Sequence, residues 1–281
     1  MAKASLELIS AMYEVAESTQ PITGRGVGYK LFSMGLIPSM STKSMKQVYR
    51  LLKIARERGV IPWEWIVDET RSLEKRASWS DPADYVRAVR RSYRLDFWEH
   101  QDVDVELWSE KGTVRGVLAP VLDEYGVGFR VMHGFSSATS VHDVACEWRD
   151  RPLIILYVGD FDPSGLYMSK HDLPDRLERY GGDLVILKRI ALLSDDLDDL
   201  PSFPAASKAK DSRHNWYVRY FGSQCWELDA MDPNDLRDRV RDSIVKEIEP
   251  EAWDRCVRAQ EAEQESLEHL LDAWIGEVDD D

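Results

Sequence analysis

Residues 153–165 read LIILYVGDFDPSG. Leu153 to Val158 form an unbroken apolar run that stops at Gly159, Asp160, Asp162, Pro163 and Gly165. A short continuous apolar run closed by turn residues predicts a strand buried on both faces of a parallel sheet. Two acids, two residues apart, then project from its carboxyl end, where open α/β sheets bind ligands. Two carboxylates held together repel unless a cation or a proton lies between them. Magnesium suits such oxygen ligands and binds through one or two carboxylates plus substrate phosphate. Asp, Pro, Ser and Gly are also ordinary turn formers, so a plain Asx-rich loop is the competing reading.

Working outward, VDVELWSEKG reads as a strand ending in Glu110, Lys111 and Gly112, followed by a helix over TVRGVLAPVLDEYG. FRVMHGF is a second strand, Ser136 to Trp148 a helix capped by Ser136 or Ser137, and GDLVILKRIAL a fourth strand after the mostly helical SGLYMSKHDLPDRLERYG. Strands alternating with helices predict an α/β domain with a parallel sheet and right-handed crossovers. The stretch LSDDLDDLPSFPAASKAKDSRHN reads as a long polar connection. From Pro233 the chain is helical and acidic. On the amino-terminal side, helices are expected over 4–18, over GRGVGYKLFSMG with Thr23 as its cap, and over 44–58 with Gly59 as the stop. Gly24, Gly26 and Gly28 weaken the second of these, each by roughly 1 kcal/mol against alanine. Three helices with basic residues, then the extended VIPWEWIVD, predict a winged-helix-like module, with a plain three-helix bundle as the alternative. The expected domains are 1–80, winged-helix-like and DNA-binding; 81–101, a helical connection; 102–225, the α/β domain; and 226–281, an acidic helical extension. GRGVGYK is not a phosphate-binding loop, because Tyr29 separates Gly28 from Lys30 and no Ser or Thr follows.

The chain has 281 residues and a net charge of −15. Residues 1–80 carry +4, residues 81–225 carry −6, and residues 226–281 carry −13. The acidity argues against nucleic acid as a general partner, while its uneven spread leaves the amino-terminal part as the place for a DNA contact. Cys146, Cys225 and Cys256 fit no zinc spacing and no disulfide framework. No apolar run is long enough to span a membrane and the amino terminus lacks the apolar core of a signal peptide, so a cytoplasmic protein is expected.

If the sheet is parallel, Glu110, Asp160 and Asp162 share one edge, and magnesium held there could polarise a phosphodiester. Glu110 could be a ligand or a general acid/base. A strand ending in Glu, followed by a strand ending in Asp-x-Asp-x-x-Gly, resembles the Toprim pattern of topoisomerases, bacterial primases and some nucleases. The form GDFDPSG looks most like the A subunit of topoisomerase VI and the related meiotic double-strand-break protein. That family carries an Arg-x-x-Tyr-Tyr motif on a winged-helix domain before the Toprim domain. Arg25 and Tyr29 keep the spacing from the Arg to the second Tyr, although Gly28 stands where the first Tyr would be. The family's turn before its Asp motif is echoed by Gly134 to Ser137. The resemblance covers roughly residues 20–225.

The resemblance implies an enzyme that cuts DNA through a tyrosyl-phosphodiester link, of the type IIB topoisomerase kind. By that resemblance Tyr29 would be the nucleophile, Arg25 would stabilise the phosphate, and Glu110, Asp160 and Asp162 would hold Mg2+. It also implies a homodimer and, for strand passage, a separate ATPase B-type subunit. Tyr49 is a second tyrosine candidate. Two other readings remain open: a Toprim nuclease in which metal-activated water cuts DNA or RNA, and a non-catalytic DNA-binding protein. Lys111 and Arg115 are read as near-phosphate or solvated, His133 as structural, and Lys208, Asp211, Arg213, Glu227 and Asp229 as a charged periphery without a role.

Overall fold

The fold is a computed structural model that describes residues 3–67, 77–132, 138–147 and 151–278. Two compact units emerge: residues 1–70 with 105–246, and residues 71–104 with 247–281. The expected boundaries at 80 and 225 do not coincide with these units, because the amino-terminal helices and the α/β part share one of them.

In chain order, the first unit opens with α1 (Lys3–Thr19), β1 (Ile22–Thr23), α2 (Gly24–Ser33), α3 (Thr42–Glu57) and β2 (Ile66–Val67). Met12, Ala16, Ile22, Val27, Leu31, Val48, Leu51 and Ala55 are all buried in its core. The Thr23 hydroxyl accepts from Gly26 N at 2.8 Å and caps α2, as its position in the sequence predicts. The glycines of α2 are there for packing. A Cβ on Gly28 would lie 2.6 Å from the Met45 sulfur, one on Gly26 2.9 Å from Ile22, and one on Gly24 3.1 Å from Tyr49. Their absence of side chains lets α3 and β1 approach, which offsets their poor helix propensity. β1 and β2 pair in parallel.

α4 (Pro82–Ser92) lies in the second unit. The first unit resumes with β3 (Asp104–Ser109), α5 (Thr113–Tyr125), β4 (Gly128–Val131), α6 (Ala138–Glu147), β5 (Leu153–Val158), α7 (Pro163–Tyr167), a π-helical turn (Met168–Asp172), α8 (Leu173–Arg179) and β6 (Val185–Ala191). The four strands form a parallel sheet in the order β4-β3-β5-β6. All six residues of β5 are buried, as the continuous apolar run requires. The caps expected at Ser136 or Ser137, the echo at Gly134 to Ser137, and His133 lie outside the described residues. So do residues 68–76 of the expected winged-helix-like module.

The stretch expected as a long polar connection is largely built. β7 (Phe203–Pro204) leads to a 3-10 turn (Ala205–Lys208) and α9 (His214–Phe221), and β8 (Gln224–Cys225) pairs antiparallel with β7. Buried Ala205 donates its N–H to Ser223 O at 2.8 Å, and Arg213 clasps Asp211 at 2.5 and 2.8 Å. These contacts are long-range or side-chain-mediated, and hydrophobic periodicity does not report them. α10 (Pro233–Val245) closes the unit.

In the second unit, α4 and α11 (Pro250–Val278) come together although they are far apart in sequence. Trp253 meets Phe97 and Trp98 edge-on at 4.8 and 5.7 Å, and Arg90 pairs with Glu268 at 2.8 Å. No helix among the described residues is long and apolar enough to cross a membrane.

Candidate functional site

Strand order places β3 beside β5, with β4 reached to one side and β6 to the other. The pair is therefore the topological switch point, where the loops leaving the carboxyl ends diverge and open a crevice. Glu110 follows β3, and Asp160 and Asp162 follow β5. The loop after β5 is tightly held. The Asp162 carboxylate accepts from Gly165 N at 2.8 Å and caps α7. A Cβ on Gly165 would sit 2.5 Å from the Asp160 carbonyl oxygen, so this turn needs glycine. Beneath it, Arg189 donates to the carbonyls of Gly159, Asp160, Gly165 and Leu192 at 2.7 to 3.1 Å. Arg189 is a positioning residue whose role nothing in GDLVILKRIAL announces.

Phe161, between the two acids, points the other way and packs edge-on against Tyr217, Phe221 and Trp226. Its backbone exchanges two hydrogen bonds with Trp226, at 2.9 and 3.0 Å. That bridge lays Glu227 and Asp229 beside Asp160 and Asp162. Both pairs have the same i, i+2 spacing, which was the one signal for them in the sequence.

Two lysines lie among these acids. Lys111 Nζ is 2.8 Å from Asp160 and 3.0 Å from Asp229. Lys208 Nζ is 3.0 Å from Asp162. Asp160 also accepts from Leu228 N at 2.8 Å, and Asp229 accepts from the Thr23 hydroxyl at 2.6 Å. Burial alone would raise Asp229, but Lys111 and Thr23 outweigh it and hold the carboxyl low. Burial would likewise lower Lys111, and Asp160 and Asp229 push it up. Asp160 is raised, first by burial and then by Asp162, against Lys111. Glu110 makes no hydrogen bond or ion pair among the described residues, and burial together with the charges of Asp160 and Asp162 pushes it up to about 7.

The expected three acids are thus brought to one edge and sense one another's charge. They are hard oxygen donors, and Glu110 is raised first by burial and then by the charges of Asp160 and Asp162. As carboxylate oxygens the three are of the donor type that magnesium takes. Among the described residues, however, no three His, Cys, Asp or Glu side chains already converge as a ready-made metal cage. A cation would take over oxygens now facing Lys111 and Lys208.

Arg25 and Tyr29 both lie on α2, which is fixed at its start by Thr23. Arg25 binds Glu227 through two nitrogens. Its guanidinium lies 5.8 Å from the centre of the Tyr29 ring. Two clefts flank this ion pair. One, of about 470 Å3, is lined by Arg25, Tyr49, Lys111, Thr113, Asp160 and Asp229 among others. The other, of about 480 Å3, is lined by Arg25, Tyr29, Phe203, Lys208 and Glu227 among others. Tyr29 is only 4% exposed, and burial and then Glu227 hold its hydroxyl well above the usual tyrosine range, against the pull of Arg25. Tyr49 is 45% exposed. The tyrosine on the acid-edge cleft is therefore Tyr49, and Tyr29 faces the neighbouring one.

Compared with known proteins, the chain matches no family model, no curated protein and no solved structure.

Proposed function

We propose that the chain cleaves DNA phosphodiesters at the carboxyl edge of its parallel sheet, as a Toprim-type, topoisomerase VI A-like enzyme whose amino-terminal helices form a winged-helix-like DNA contact. The observation that carries this reading is the meeting of Glu110, Asp160 and Asp162 at the β3/β5 switch point, beside a cleft that also holds Arg25 and Lys111. Asp160 and Asp162, with Glu110 beside them, would hold Mg2+, which when bound polarises the phosphate and stabilises developing charge.

The remaining steps belong to the chain's own groups. A DNA phosphate competes with Glu227 for Arg25, and the guanidinium then stabilises the phosphoryl oxygens. Glu227, released from Arg25, accepts the Tyr29 proton. The tyrosine oxygen forms a bond to phosphorus as the bond to the leaving sugar oxygen breaks. That oxygen takes its proton from water in the open cleft. α2 and the acid edge lie in one unit, with Tyr29 lining the cleft next to the acid-edge one. The resemblance implies a homodimer in which the tyrosine of one subunit meets the metal site of another, and a separate ATPase subunit for strand passage.

The burial and raised hydroxyl of Tyr29 favour a second reading, in which water attacks at the same edge and the tyrosines are structural. Supercoiled plasmid incubated with Mg2+ and stopped with detergent, with and without protease, separates the two. Covalent attack leaves protein on the DNA; hydrolysis leaves free ends. Tyr29→Phe abolishes cleavage in the first case, Tyr49→Phe does so if Tyr49 is the attacking group, and neither does in the second.

A further inference from the structure

Residues 205–221, AASKAKDSRHNWYVRYF, hold four Lys or Arg against one acid, in a chain of net charge −15. The segment starts on the acid edge, where Lys208 meets Asp162 at 3.0 Å. Beyond it, Arg213 is turned back onto Asp211, but exposed Lys210 and Arg219 make no ion pair or hydrogen bond among the described residues. Nor does exposed Lys170, on the adjacent π-helical turn, whose ammonium lies 5.4 Å from the centre of the Phe221 ring. Arg219 and Lys170 thus border one aromatic surface from α9 and the adjacent turn, and Lys210 lies on the stretch that leads from Lys208 into α9, so cations without carboxylate partners line this segment of an acidic chain.

Aromatic rings run between these cations. Arg219 lies 5.5 Å from the centre of the Tyr220 ring, and Tyr220 is 63% exposed, more than any other large apolar side chain among the described residues. Trp216 connects Tyr220, at 6.4 Å between ring centres, to Tyr167 at 5.4 Å and His171 at 5.3 Å. An acidic peptide would use the cations and leave the rings idle. Duplex DNA offers phosphates but keeps its bases stacked on each other. Phosphates together with free base faces belong to unpaired nucleotides, for which cation-and-aromatic surfaces are the general solution.

We infer that α9 and the turn carrying Lys170 bind a single-stranded segment of nucleic acid and lead it onto the acid edge at Lys208. The binding surface stands on its own observations; only delivery to the acid edge rests on the cleavage reading above.

The test is fluorescence anisotropy of a labelled 15-nucleotide single strand and its duplex, with EDTA present so that binding is read without cleavage. The wild-type chain should bind the single strand tighter than the duplex. Tyr220→Ala should weaken single-strand binding by about tenfold, the size of one lost stacking contact. Lys210→Glu with Arg219→Glu should weaken it further and flatten its salt dependence. All three side chains are exposed, and an unchanged circular dichroism spectrum and melting temperature verify the fold. Equal affinity for duplex and single strand with no effect of Tyr220→Ala would overturn the inference. So would failure to bind either DNA, or binding of polyglutamate that is lost in the double Glu variant but kept in Tyr220→Ala. Loss of plasmid cleavage in Glu110→Gln with single-strand binding intact supports the separation of the two sites, and absence of cleavage in wild type with binding intact sinks the cleavage reading alone.

Discussion

Glu110 is the residue whose chemistry is most exposed to test. Its carboxyl titrates near 4.5 in an unfolded chain and is pushed up to about 7 by burial and by Asp160 and Asp162. Below about pH 4.5 both states hold the proton. Between there and about 7 the unfolded chain releases a proton that the folded chain keeps, so folding stability falls as pH rises, and above 7 the loss is complete. Glu110→Gln removes that loss. Its melting temperature should match wild type at pH 4 and exceed it at pH 8 without metal, by a free energy of at most about 3 kcal/mol. Equal melting temperatures at pH 8 would mean that the three carboxylates do not share one electrostatic site. Tyr29 carries the opposite kind of constraint. Its hydroxyl is buried and raised, so the covalent reading needs Arg25 to leave Glu227 when phosphate arrives.

At the scale of elements, the β5 strand and its acidic tip were legible because a fully buried strand has a plain sequence signature, LIILYV, and because D-x-D at a strand end points both side chains one way. Glu110 was legible differently, as the acid that follows the partly buried strand DVELWS. Glu227, Asp229 and Lys208 were not, since only the Phe161–Trp226 bridge and the fold of 203–225 bring them to the edge, and pairings this distant leave no local pattern. The α2 helix was legible from Thr23 but looked weak, because the packing that its glycines permit is tertiary. Gly165 is the sharpest element-level constraint. Its added Cβ would meet a backbone oxygen 2.5 Å away, with no flexible side chain to yield. Gly165→Ala should therefore cost about 2 kcal/mol in urea unfolding, in the range of overpacked sites. Gly28→Ala should cost less, because there the obstacle is the end of the Met45 side chain.

At the scale of the molecule, the division of the chain was the least legible feature. Segments 71–104 and 247–281 form one unit in which Trp253 packs on Phe97 and Trp98, more than 150 residues before it, and nothing in their spacing links them. The first unit has an anchor that the sequence also hides. The Arg237 guanidinium, almost fully buried in α10, donates to the carbonyls of Thr19, Gln20, Pro21 and Val117 at 3.0 to 3.2 Å. It fixes the turn that starts α2, and so the placement of Thr23 and Arg25 at the acid edge. Arg237→Ala should lower stability by about 3 kcal/mol, since buried carbonyls lose their donor. In a temperature series, cleavage should be lost with unfolding of the first unit.

The most direct test of the central claim is the plasmid assay on four chains: wild type, Asp160→Ala, Tyr29→Phe and Tyr49→Phe. Cleavage of phosphodiesters at the acid edge predicts Mg2+-dependent nicked or linear DNA with wild type and none with Asp160→Ala, while the tyrosine variants decide between a protein-linked and a free end. Undiminished cleavage by Asp160→Ala, or intact plasmid with wild type at any Mg2+ concentration, would contradict it.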